Sequence, residues 1–185
     1  MSLCRLAAVL GLLALAACTG ERPPLTTATT NVAGPYHLDS GDELRIVIYD
    51  QPNLTNLYRV DQAGYIAMPL IGEVPARGAT TDMLEERIAA QLSTRFLREP
   101  NITVEVAEYR PFFVLGEVNN PGQYPYLPGM TAETAVAVAG GFTARANMHA
   151  VRVTRHLGGR RYEGRIPVTQ PIRAGDTLFV YERLF

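Results

Sequence analysis

The chain of 185 residues carries 17 basic and 18 acidic residues, a formal net charge of −1, and 47% of its residues are hydrophobic. That balance is ordinary for a globular protein of one domain or two small ones and argues against wholesale binding to nucleic acid. Every basic residue is an arginine, so Schiff-base chemistry and a P-loop lysine are excluded.

The opening "MSLCRLAAVLGLLALAACTG" sets Arg5 before an apolar run from Leu6 to Ala17. The run is too short for a membrane-spanning helix, which needs about 20 residues, and fits the apolar region of a secretory signal. It closes with Leu15-Ala16-Ala17-Cys18, which resembles the lipobox of bacterial lipoproteins. That resemblance implies a signal peptide over 1–17 and a diacylglycerol on the Cys18 thiol. Thr19, where an aspartate would signal inner-membrane retention, points to the outer membrane. Cys4 falls in the removed piece, so the rest of the chain has no disulfide framework and no Cys-metal site. Residues 18–34, rich in Thr, Pro and Ala without hydrophobic period, read as an acylated N-terminus and flexible linker.

From Tyr36 a first α/β unit is expected, over 35–109. "DELRIVIYD" alternates, with Leu44, Ile46 and Ile48 on one face of a half-buried strand that follows the Gly41-Asp42 turn. "YRVDQAGYIAMPLIGEV" predicts a hairpin turning at Gly64, then an extended segment broken at Pro69. Leu84, Ile88, Leu92 and Phe96 recur every four residues, an amphipathic helix capped by Thr80 or Thr81. "NITVEVAEY" is a second alternating strand, with Ile102, Val104 and Val106 on one side.

A second unit is expected over 110–185. Phe113, Leu115 and Val118 are read as core-facing, and Asn120-Pro121-Gly122 as a turn. "TAETAVAVAGG" predicts a short helix capped by Thr131 and stopped by Gly140-Gly141. "HAVRVTRHLGGRRYEGRIPV" reads as two strands joined at Gly158-Gly159, and "GDTLFVYE", a near copy of "SGDELRIVIYD", as the closing strand after Gly175-Asp176.

"YHLDSGDELRIVIYDQPNLT", "YIAMPLIGEV" and "NITVEV" resemble the export domain of the polysaccharide biosynthesis/export lipoproteins. "FFVLGEVNNPGQYPY", "AVAVAGGFTARAN" and "IRAGDTLFVYE" resemble the soluble-ligand-binding β-grasp (SLBB) domain that follows it. Gln62-Ala63-Gly64 departs from the Asp-Gly turn usual there. The resemblance implies an α+β fold of two small mixed units in tandem, assembling as a homo-oligomeric ring. It also implies a polysaccharide cargo moved with an inner-membrane co-polymerase, and no cofactor. Longer members carry a C-terminal pore helix, whereas only Glu182 to Phe185 follow the last strand here. The expectation is therefore a periplasm-facing ring, tied to the outer membrane by acyl chains, that delivers to a separate outer-membrane β-barrel.

No residue pattern announces catalysis. Asp39, Asp42 and Glu43 cluster at a turn, where aspartate is common. His37, His149 and His156 lack metal-ligand spacing, and no Gly-x-Ser-x-Gly occurs. Gly41, Asp42, Gly72, Gly116, Pro121, Gly122, Gly140, Gly141, Gly175 and Asp176 are assigned to structure, the glycines serving turns or close packing that a side chain would block. Charge is more informative. Residues 35–142 hold 14 acids against 7 arginines, whereas 143–173 hold 7 arginines against Glu163 alone. Arg152, Arg155, Arg160, Arg161 and Arg165 are expected to form a face that meets an acidic neighbouring subunit or an anionic glycan, with subunit contact favoured. A monomeric carbohydrate-binding or sensing lipoprotein is the alternative, and a glycan-processing enzyme the third reading.

Overall fold

Alternating side chains set the first element. In Glu43–Ile48 (β1), Leu44, Ile46 and Ile48 are buried while Arg45 and Val47 face out. The computed structural model describes residues 34–157 and 159–183. Asn56–Arg59 (β2) pairs antiparallel with β1, as does Ile102–Glu108 (β5) on its other side, giving a sheet ordered β2-β1-β5. Tyr65–Met68 (β3) and Gly72–Pro75 (β4) form a separate ladder. The hairpin expected at Gly64 is thus corrected. Gly64 does sit in a tight turn on Asp61, but β2 leaves it for β1, and the ladder turns at Pro69–Ile71, where Leu70 takes a φ of 71°.

Thr81–Arg95 (α1) starts where the Thr80 hydroxyl accepts from the Met83 amide, leaving fewer N-terminal donors unmet. Its Leu84, Ile88 and Leu92 reach zero exposure in one cluster with the inner residues of β1, β3, β4 and β5. Full burial of such a side chain contributes about 1.5–3 kcal/mol. Glu85 accepts from the Val104 amide at 2.7 Å and so satisfies one donor on the free edge of β5. Phe96, expected on this apolar face, is instead 46% exposed at the C-cap, where the helical period ends.

The second unit is one mixed sheet ordered β7-β6-β10-β8-β9. Its strands are Phe112–Gly116 (β6), Gly122–Tyr124 (β7), Ala150–Leu157 (β8), Arg160–Pro167 (β9) and Thr177–Val180 (β10). β10 runs parallel to β6 and antiparallel to β8. Ala132–Val138 (α2), held by a Thr131/Thr134 capping box, covers one face with Ala132, Ala135 and Val136. Phe112 and Val114 point into that core at zero exposure, while Phe113 and Leu115 stand 39% and 43% exposed. The expected phase was one residue out, and with a period of two that reverses every side chain of the strand. Val118 is buried as expected. Gly158, at the β8–β9 turn, lies outside the described residues. The architecture is α+β, two small units in tandem, and the two cores share no residue.

Candidate functional site

The two Gly-Asp turns are built alike. Asp42 accepts from the amide of Asp39, and Asp176 from the amide of Arg173, each three residues back. Both carboxylates have zero exposure. Asp176 is met by a bidentate fork, Arg155 Nε at 2.7 Å and Nη2 at 2.6 Å. Asp42 is met by the Arg110 amide at 2.9 Å, Arg110 Nη1 at 3.1 Å and the Tyr36 hydroxyl at 2.8 Å. Burial, opposed by the charge of Arg110, raises the Tyr36 pKa, so its hydroxyl stays protonated and donates to Asp42.

Arg110 stands where the domains join. A Cβ at Gly175 (φ 81°) would lie 2.6 Å from Arg110 Nε, and one at Gly41 (φ 95°) 3.4 Å from Arg110 Cβ. Bare backbone at Gly175 therefore leaves the space that Arg110 fills, while Gly41 serves its left-handed turn. Gly175 also donates its amide to the Pro111 carbonyl. At the end of β6, a Cβ on Gly116 would collide with the Val180 carbonyl oxygen. Gly122 needs neither licence, which corrects its assignment. It is absent from the positive-φ positions, and its Cβ would make ordinary contact with Tyr124 at 3.8 Å. Gly140 and Gly141 follow α2 at φ 82° and 85°, Gly72 opens β4, and Pro121 precedes β7.

The arginines do not form the single face expected. Along β8 the period of two sends Arg152 outward and Arg155 inward with Val151 and Val153, where Asp176 neutralises it. Arg155 is 5% exposed and is thereby withdrawn from any surface contact. Registers place Leu115, Phe179, Arg152 and Arg165 in one row across the outer face of the sheet, opposite α2. Arg161 and Glu163 share that face, and Arg160, next to the turn, falls on the other. The Arg152 guanidinium stacks 4.9 Å from the Phe179 ring centroid and 5.5 Å from that of Tyr181. Glu163 bridges Arg152 and Arg161 at 3.0 and 2.8 Å.

Sequence reasoning missed Tyr36, Tyr109, Arg110 and Tyr126 at the joint, and counted Arg173 only as one of the seven arginines of 143–173. The repeated Gly-Asp was the available signal, since two buried aspartates demand two cationic partners. Cys18 lies outside the described residues. Among the described residues, no group of three or more His, Cys, Asp or Glu side chains could hold a metal ion, and no helix is long and apolar enough to cross a membrane.

Comparison with known proteins matches residues 30–107 to the polysaccharide biosynthesis/export protein family and 111–165 to the SLBB domain. The chain is 35% identical to the exopolysaccharide production protein ExoF of Rhizobium meliloti, over 62% of this chain and 30% of that protein. It is 29% identical to the EPS I polysaccharide export outer membrane protein EpsA of Ralstonia solanacearum, over 82% of this chain and 49% of that one. With the polysialic acid transport protein KpsD of Escherichia coli it shares 24% identity, over 52% of this chain and 18% of that protein. The chain thus spans about half or less of the length of these relatives. It carries a polysaccharide biosynthesis/export domain followed by an SLBB domain, with Arg110 between the two matched segments.

Proposed function

We propose that this chain is a lipid-anchored component of a polysaccharide export machine. It works at the periplasmic side of the outer membrane as a ring and receives its cargo from an inner-membrane co-polymerase. The observation that carries the reading is the ordered pair of family matches over 30–107 and 111–165. Relatives that share it are named for exopolysaccharide production and polysaccharide export. Supporting it, Arg110 at the joint pairs with the buried Asp42 of the first domain and lies against Gly175 of the second. The outer face of the second sheet carries Arg152, Arg161 and Arg165 with no helix over it among the described residues, and residues 35–142 are strongly acidic. Docking that face onto the export domain of the next copy is a head-to-tail contact, the kind that closes into rings. Acyl chains on Cys18 supply the anchor, since more than one chain is needed for stable attachment.

A strain lacking the chain should synthesise polysaccharide but not release it, and Cys18→Ser should fail to restore release. Undiminished release from the deletion strain would end this reading. A monomeric carbohydrate-binding lipoprotein is the second reading, favoured by Phe179 and Tyr181 stacked with Arg152 on the same open face.

A further inference from the structure

Between the two domains, beside the Gly-Asp joint, lies a cleft of about 580 Å³. It falls within the roughly 300–1,000 Å³ of small-ligand sites and at a domain interface, where such sites concentrate. Tyr36, Tyr109 and Tyr126 line it, packed edge to face with centroids 4.9 and 5.7 Å apart. Tyrosine rings offer a flat apolar surface with a polar tip, which suits the mixed faces of a sugar ring. Of the arginine and carboxylate side chains described, only Arg110 and Arg173 line the cleft. Arg110 is held by Asp42, so its position is fixed before any ligand arrives. Arg173 is half-buried, and burial first, then the charge of Arg155, lowers its pKa against the opposing charge of Asp176. The hollow on the outer sheet face differs, because Glu163 and Glu182 share it with Arg152 and Arg165.

We propose that this interdomain cleft binds a carboxylate-bearing sugar residue of an acidic glycan, its carboxylate on the Arg173 guanidinium and its ring against the tyrosine wall. An arginine fork matches carboxylate oxygens in plane, and among the described residues no carboxylate lines the cleft. The inference rests on the export reading only in taking the cargo to be the glycan.

The test is calorimetric titration of the full chain in detergent with tetragalacturonate, with maltotetraose as its neutral counterpart, and with inorganic phosphate. Tetragalacturonate should bind at least about tenfold more tightly than maltotetraose. Arg173→Gln should weaken it by about tenfold, and Arg98→Gln, exposed and outside the lining of the cleft, should leave it unchanged. Amide resonances of Gly78 and Gly129, which line the cleft, should shift on titration while that of Gly164 does not. This mapping needs no variant to fold. Equal binding of the two sugars, binding of phosphate alone, shifts confined to the outer face, or no binding would each overturn the proposal. A null titration in a protein whose deletion blocks export leaves the export reading intact. Binding to the cleft in a protein whose deletion changes nothing leaves the cleft and removes the export reading.

Discussion

Asp176 gathers the polar contacts at the heart of the second domain. Its two oxygens, at zero exposure, take the Arg155 fork and the amide of the half-buried Arg173. Removing one member of such a pair strands the other charge in a dry interior. Asp176→Ala should therefore cost about 3–5 kcal/mol in urea denaturation. The double variant Asp176→Leu with Arg155→Met removes both charges and should recover much of that loss, because an apolar replacement of a whole buried pair is often neutral. A single-variant cost no larger than that of a surface substitution would show that the pair is hydrated. The same residue exposes where sequence reading stopped. Gly41-Asp42 and Gly175-Asp176 were legible as turns, but a turn aspartate normally faces solvent. Nothing local indicates that Arg110, 68 positions from Asp42, closes over it.

At the scale of elements, α1 and β8 show what periodicity can and cannot settle. Leu84, Ile88 and Leu92 recur at helical spacing and are all fully buried, so the helix and its face were readable from the chain. Phe96 continues the spacing yet is exposed, because the helix ends at Arg95 and the face ends with it. Ile88→Ala should cost about 2–5 kcal/mol and Phe96→Ala far less, both measured as shifts in denaturation midpoint. Comparable costs would place Phe96 in a buried contact that the isolated chain does not make. In β8, alternation alone separates Arg152 from Arg155, so the inward arginine was readable once the strand was drawn. β6 was harder. Phe112, Phe113, Val114 and Leu115 are all apolar, so the chain offers no polar face to fix the phase, and only the partner strands decide it. The separation of β2 from β3 was likewise invisible, because pairing β2 with β1 is a non-local choice.

At the scale of the molecule, an export domain and an SLBB domain stand in tandem, and the sheet of the second has one face under α2 and one that no described helix covers. The open face combines Leu115, Phe113 and Phe179 with arginines, the mixture found at the centre and rim of protein interfaces. A protein that acts as a conduit must assemble, whereas one that senses carbohydrate can work alone, so the mass of the particle in detergent separates the two accounts most directly. Light scattering of the full chain should give a multiple of the protomer mass, falling toward one protomer when Arg161 and Arg165 are both replaced by Glu, with circular dichroism unchanged. A wild-type particle of protomer mass would contradict assembly and leave the monomeric carbohydrate-binding reading in its place.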